Sequence, residues 1–361
     1  MKIGFPARLG VRRRLVLLLA TVVLLATAAC SSGGSKAGAA GNASGALTGT
    51  LRLGYFANVT HAPAIIGEER GLFAKALGPG VKIEFSYFNS GTEATEALFS
   101  GAIDASFMGP NPAINGYAKS GGQALRIVSG TTSGGASLVV RDGINGPQDL
   151  RGKKLATPSL GNTQDVALRA WLGQQGLKTD TTGGGDVSIT PQDNANTLTA
   201  FQGHSIDGAW VPEPWATRLV QEGGGHVLVD ERDLWPNRDF VTTHLVVSTD
   251  YLHTHAAIVK ALLNGLLDAI DQANADPAAA QSTVNAGIKR ITTKTLPDAT
   301  IAGSWDKMRF TADPIASSLV KSKDDAVSAG LLKPVDLSGI YDLTLLNQDL
   351  ADRHQPQVQG L

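Results

Sequence analysis

Ser159-Leu160-Gly161-Asn162-Thr163-Gln164-Asp165 is the stretch on which the fold of this chain turns. It follows a short strand-like run, Lys154-Leu155-Ala156-Thr157, and opens a helical segment from Val166 to Gln175. Asn162 or Thr163 is the expected N-cap, because a side-chain oxygen there accepts from a free backbone N–H. Gly176 followed by Leu177 reads as a left-handed helix stop with its apolar contact. A helix N-terminus behind a glycine turn offers unpaired N–H donors and a partial positive charge, which suits a small anion. An ordinary capped surface helix carries the same signals. A second strand-to-helix corner of similar chemistry, Met108-Gly109-Pro110-Asn111-Pro112, weighs against that bland alternative.

Outward from these corners the chain alternates. Strands are expected at 51–56, 81–88, 105–108 and 125–128, separated by helices at 61–77, 91–99 and 112–119. A second series follows: strands at 154–157, 187–189, 207–211 and 226–229, with helices at 162–175, 194–201 and 214–222. This spacing predicts βαβ units, an α/β class and two mainly parallel sheets. Both series contain a Gly-x-Ile-Asp step into a strand, Gly101 to Asp104 and, with one extra residue, Gly203 to Asp207. The segment from Leu138 is expected to cross between lobes, and Thr243 to Ser248 to cross back. Beyond Asp250 the pattern is helical, with Ile258, Leu262, Leu266 and their neighbours at helical spacing and shorter helices at 278–288, 297–304, 313–331 and 343–353. The lobes are drawn as 49–140 plus 245–361 and as 141–244, with the tail wrapped on the first.

The start of the chain is read separately. Lys2, Arg8 and Arg12 to Arg14 precede an apolar run, Leu15 to Ala26, that is short for a membrane span, and small residues follow. This predicts a secretory signal over 1–29. Cys30, the one cysteine of 361 residues, has no internal disulfide partner. It sits where lipoprotein precursors are cut and acylated, in a stretch that resembles a lipobox with Thr27 in the usual leucine position. Residues 30–48, rich in Gly, Ala and Ser, read as a flexible tether. The chain is therefore expected to be exported and lipid-anchored to the outer face of the cytoplasmic membrane. With the five basic residues of 1–29 removed, 26 basic and 32 acidic residues remain, a formal charge of −6. That argues against nucleic acid as a partner, and it requires any anion site to work by local geometry.

In open α/β sheets ligands bind outside the carboxyl ends of the strands. The residues that fall there are Asn58 and His61; Ser90, Gly91 and Thr92; Gly109, Pro110 and Asn111; Thr132; Asn162, Thr163 and Gln164; Trp210 and Glu213; and His244 on the returning strand. Hydroxyls, amides and helix ends dominate, with few cations, and aromatics are available to cover an apolar end. Glu213 is read equally as a ligand or as a first-turn carboxylate of a helix, and Trp210 as cleft wall or core. Asp165 would repel an anion it faced, so it is read as a cap or an ion-pair partner. Enzyme signatures are lacking. The seven histidines form no metal-ligand spacing, and there is no nucleophile elbow and no phosphate loop. Gly134-Gly135 and Gly183 to Gly185 read as turns. No cofactor, metal or catalytic residue is expected.

Taken together, Gly54-Tyr55-Phe56, Phe88 to Glu93, Gly101 to Asp104, Gly109 to Pro112, Asp149 to Lys154, the Gly161 to Asp165 corner and Gly208 to Pro214 resemble the solute-binding lipoproteins of ATP-driven (ABC) importers for aliphatic sulfonates, taurine and nitrate. That group shares its fold with thiamine-pyrimidine synthesis proteins. The resemblance spans roughly residues 51–250. It implies a two-lobed periplasmic-binding-protein fold of type II, with a hinge and one ligand, a small organic anion, in the cleft. It also implies a permease with its ATPase subunits as partners, a monomer, and no catalysis. The ligand contacts it implies lie at Ser90 to Thr92, Gly109 to Asn111, Thr163 and Trp210. An arginine that some anion-specific relatives use is not evident at these corners. The pyrimidine-synthesis branch calls for a His-rich segment that this sequence lacks.

Overall fold

The computed structural model describes residues 46–361. The expected signal over 1–29, the lipidated Cys30 and most of the tether lie outside the described residues.

Alternating apolar residues set the strands. β1 (Gly49–Phe56), β2 (Val81–Phe88), β3 (Ala105–Met108) and β4 (Leu125–Gly134) are linked by α1 (Ala62–Glu69), α2 (Leu72–Leu77), α3 (Gly91–Phe99) and α4 (Pro110–Lys119). The single helix expected over 61–77 is broken in two, because Gly71 adopts a left-handed conformation at φ 64°. β5 (Ala136–Val140) is followed by β6 (Lys154–Thr157), α5 (Thr163–Gln174), β7 (Ser188–Pro191), α6 (Asn194–Gln202), β8 (Gly208–Pro212), α7 (Trp215–Gln221) and β9 (His226–Asp230). The chain returns through β10 (Val241–Ser248) and continues into α8 (Thr249–Thr254), α9 (Ala256–Ala275), α10 (Pro277–Thr292), α11 (Asp298–Trp305), the short strand β11 (Met308–Phe310), α12 (Ala316–Ser328) and α13 (Thr344–Asp352).

Among the described residues two mixed sheets form, ordered β11-β4-β10-β3-β1-β2 and β7-β6-β8-β5-β9. β1 pairs parallel with β2 and β3, and β6 parallel with β7 and β8. β10 lies antiparallel between β3 and β4, and β5 antiparallel between β8 and β9. Each half thus receives one reversed strand from the chain of the other. The remaining strands of each sheet, edge strand β11 aside, run in one direction, as the alternating pattern predicted. The crossings fall earlier than drawn from the sequence. β5 belongs wholly to the second sheet, although 136–140 was assigned to the first lobe, and all of β10 belongs to the first sheet, although 241–244 was assigned to the second. The outgoing turn is Gly134-Gly135, at φ 78° and 81°. A side chain at Gly134 would also meet the Lys307 carbonyl, its Cβ 2.5 Å from the oxygen. The glycines are therefore required on both counts.

The repeated Gly-x-Ile-Asp step has one physical role in both halves. Asp104 accepts from the Arg52 backbone N–H of β1 at 2.8 Å, and Asp207 accepts from the Lys154 N–H of β6 at 2.8 Å. Each carboxylate fastens a backbone N–H of the neighbouring strand, in the middle of β1 and at the start of β6. The largest apolar core joins the first sheet to α1, α2, α9 and α10, with Phe73, Ile65, Leu262 and Leu266 at its centre. The C-terminal helices thus cover the first sheet, and α12 also packs on α5 of the second half.

Candidate ligand-binding cleft

The carboxyl ends of the two sheets face each other. Phe56, Asn58, Thr60, His61, Asn89 and Gly109 line a narrow cleft from the first half, and Pro158, Asn162, Thr163, Gln164, Asn194 and Pro212 from the second, with Thr242 and Thr243 at the returning strand. The free cavity is about 20 Å³, room for roughly one water molecule. Contacts across the mouth hold it narrow. Asn115 Nδ2 donates to the Gly161 carbonyl at 3.1 Å, and Thr92 Oγ1 lies 3.5 Å from Ser159 Oγ. On the hinge side, Trp215 Nε1 donates to Asn58 Oδ1 at 2.9 Å.

The Ser159 to Asp165 corner is built as a cleft wall. α5 begins at Thr163 with Asn162 at its N-cap, but the Asn162 side chain makes no capping bond. Its carboxamide lies beside the cleft instead, which corrects the expected cap. The first N–H groups of α5, those of Thr163 and Gln164, have no intrahelical acceptor. Asp165 does not face the cleft. It is fully buried and accepts from Thr157 Oγ1 (2.9 Å), Gly161 N (2.9 Å) and Arg169 Nε (3.0 Å). The helix ends as expected, with Leu177 N donating to the Leu172 carbonyl and Gly176 N to that of Gly173. Opposite stands the start of α4. A Cβ built on Gly109 would lie 2.4 Å from Thr163 Oγ1, so only glycine lets the two helix ends approach this closely. Thr163 Oγ1 and Asn194 Oδ1, both buried, have no hydrogen-bond partner.

His61 is fully buried and stacks on Phe56, with ring centres 4.4 Å apart. The Phe56 N–H donates to its Nδ1 at 3.4 Å, so the ring proton sits on Nε2. Burial pushes its pKa down to about 3, and the ring is neutral at physiological pH. The turn that carries His61 is fixed from behind: the Thr60 carbonyl accepts from Thr132 Oγ1 at 2.8 Å and Thr243 Oγ1 at 3.1 Å.

Six of the residues expected from the sequence line the cleft: Asn58, His61, Gly109, Asn162, Thr163 and Gln164. Others stand beside it. Ser90 caps α3 by accepting from the Glu93 N–H. Gly91 packs against Pro112, Thr92 sits at the mouth, and Thr132 braces Thr60. Pro110 has no N–H to offer, and Asn111 Nδ2 is committed to the Ser322 carbonyl at 3.0 Å.

Three expectations are corrected. Trp210 is fully buried, donates to Glu231 Oε2 at 2.7 Å and meets Trp171 edge-on. Its indole belongs to the core of the second half, and it is Pro212, two residues further on at the strand end, that reaches the cleft. His244 lies one residue out of phase with Thr243. It points to the Pro314 carbonyl (3.3 Å) and Tyr341. Glu213 holds the start of α7, accepting from Thr217 N and, across to α11, from Ser304 Oγ, both at 3.1 Å. Glu213 thus stands one residue before the N-cap of α7, outside the first turn expected of it, and its carboxylate is spent on the helix start and not on the cleft. Phe56, Thr60, Pro158 and Asn194 carry no sequence signal that would have singled them out. Asn194 follows no glycine corner, Phe56 ends β1, Pro158 directly follows β6, and Thr60 lies in the short helical turn Val59–His61.

A model of the NMT1-like family matches residues 45–288. The chain belongs to the NMT1-like family. This NMT1-like chain is 29% identical over 219 residues to the taurine-binding periplasmic protein of Escherichia coli K12, covering 60% of the chain and 64% of that protein. Its fold is similar to that of the alkanesulfonate-binding protein SsuA from Xanthomonas axonopodis pv. citri (TM-score 0.68, 20% identity, 81% of this chain and 98% of the other). It is also similar to that of the periplasmic nitrate-binding protein NrtA from Synechocystis PCC 6803 (TM-score 0.71, 18% identity, 86% and 90%). The periplasmic-binding-protein fold expected from the sequence is thus the one the chain adopts.

Proposed function

We propose that this protein is the exported solute-binding component of an ABC importer. In this reading it captures a small organic anion, an aliphatic sulfonate foremost, and delivers it as a monomer to a permease driven by ATPase subunits, without catalysis of its own. The observation that carries the reading is the pair of facing helix starts at Gly109 and Thr163, with the unpartnered Thr163 hydroxyl between two sheets that two connections join. Helix-end N–H groups, hydroxyls and the neutral His61 Nε2–H supply donors for an oxyanion. Among side chains this buried each of them counts for more than in water. Phe56, Pro158 and Pro212 provide the apolar surface for an organic tail, a role first expected of Trp210. The relatives that bind taurine, alkanesulfonates and nitrate support the same class of ligand.

Calorimetric titration with alkanesulfonates, taurine, nitrate and sulfate tests the reading. Tight binding of one of these anions is expected. Binding of a neutral or cationic solute, with none of the panel bound, would overturn the anion assignment and leave the importer role standing. We further propose that Cys30 is acylated and anchors the protein through two chains, since one gives only marginal binding. Cys30→Ser is expected to lose the lipidated mass from the membrane fraction. A variant that still partitions with membranes would refute the anchor.

A further inference from the structure

We infer that the cleft admits singly charged anions and rejects doubly charged ones of the same shape. The inference rests on the anion reading above and concerns the charge that the site balances. No lining residue is Lys, Arg, Asp or Glu. The one titratable lining side chain, His61, is held neutral by burial. A bound charge is therefore met by dipoles alone.

Those dipoles can be counted. α4 and α5 meet at Gly109 and Thr163, and neither N-cap makes a side-chain bond that would satisfy the helix end. The acid in the first turn of α5, Asp165, is paired with Arg169 and adds no net charge. α3 and α6 also begin near the cleft. Glu93 in the first turn of α3, which accepts from the Asn89 N–H, and Asp193 at the N-cap of α6 offset their ends. α1, which begins directly after the lining residue His61 with no acid in its first turn, adds a third such end, and α4 offers only the Asn111 N–H between Pro110 and Pro112. The cleft therefore meets a bound charge with partial charges and no full cation.

A second observation points to a ligand at this place. Thr163 is 5% exposed, yet its Oγ1, a hydroxyl able to donate, has no partner. Burial of the lining sets the penalty for a second charge, because a bound anion exchanges its water shell for these buried side chains. Desolvation cost grows with the square of the charge, while attraction to fixed dipoles grows only in proportion. Doubling the charge quadruples the first and doubles the second. With no cationic side chain to supply the difference, the dianion stays in water.

A pair of isosteric esters tests this. Methyl sulfate carries one charge throughout, whereas methyl phosphate carries one at about pH 5 and two at about pH 8. Other titratable groups near the cleft are Glu213 behind β8, bound to Thr217 and Ser304; His244 on the far side of β10; and Glu93 and Asp193 at the helix ends. Methyl sulfate, titrated at both pH values, reports any contribution from these groups. Calorimetry on the purified protein is expected to give equal affinities for the two esters at about pH 5. At about pH 8 methyl sulfate should be unchanged and methyl phosphate weakened on the order of 100-fold or more. Methyl phosphate binding as tightly as methyl sulfate at about pH 8 would sink the charge limit and leave the anion reading intact. Silence from both esters, and from nitrate and taurine, would bring down the anion reading and this inference with it.

Discussion

At the scale of single residues, the cleft is defined by side chains left without partners and by those already committed. Thr163 Oγ1 is buried and unpaired, so removing it costs the protein nothing in the empty state. Thr163→Val keeps the shape and is expected to weaken the best-bound anion by about 1 kcal/mol, roughly fivefold, without lowering the melting temperature. Calorimetry beside a thermal melt checks both halves. Trp210 behaves in the opposite way. Its indole satisfies the buried carboxylate of Glu231, whose pKa burial raises to about 7. Trp210→Phe is expected to cost roughly 1–3 kcal/mol of stability, the toll of an unpaired buried carboxylate, and to leave anion affinity within about twofold. A large affinity loss with unchanged stability would return Trp210 to the ligand.

At the scale of elements, the site is a meeting of two helix starts. Gly109 at the N-cap of α4 has φ −71° and needs no left-handed freedom. Its lack of a side chain serves distance alone. Gly109→Ala would place a methyl group 2.4 Å from Thr163 Oγ1 and push α4 and α5 apart. Affinity is expected to fall by tenfold or more, about 1.4 kcal/mol. The melting temperature of the ligand-free protein should change little, because the strain is relieved by opening the cleft. Small-angle scattering of the variant should show the more open form. The paired Asp104 and Asp207 steps belong to this scale as well. Two distant segments of sequence with one pattern each place a carboxylate on a backbone N–H of a neighbouring strand, Arg52 in β1 and Lys154 at the start of β6.

At the scale of the molecule, buried titratable groups make stability depend on pH. His61 and His244 are held at about 3 and about 4 by burial. The unfolded chain takes up a proton at each ring below about pH 6.5 and the folded chain does not, so each ring costs stability as pH falls through that window, by about 1.4 kcal/mol per pH unit. Glu231 has the opposite sign. Between about pH 7 and about 4.5 the folded chain keeps a proton that the unfolded chain releases, so stability rises as pH falls. Relative to wild type, His244→Asn is therefore expected to gain stability as pH drops from about 6.5 to about 4. Glu231→Gln should lose it over the acid window. Urea denaturation at about pH 5 and about pH 7.5 checks both directions. Variants that track wild type at both pH values would show that these groups are not held as the structure has them.

The sequence by itself determined the α/β class, the two series of strands and helices, the family resemblance and most of the corners. These depend on short-range signals: apolar periodicity, helix caps and stops, and the glycines at turns. It also located the six cleft residues that immediately follow strands or open α5, because strand ends are legible in a single sequence. The tertiary structure alone decided which way a side chain on a strand faces. His244 sits one residue out of phase with Thr243, which reaches the cleft, and a period of two turns an error of one residue into the opposite face. Trp210 lies two residues short of Pro212, the strand end that lines the cleft. It alone decided where the expected crossings fall, with β5 wholly in the second sheet and β10 wholly in the first, since the pairing of strands a hundred residues apart leaves no local trace. It alone assembled the cleft as a neutral cavity of facing helix starts, because that balance of charge is a property of distances between segments that are not neighbours in the chain.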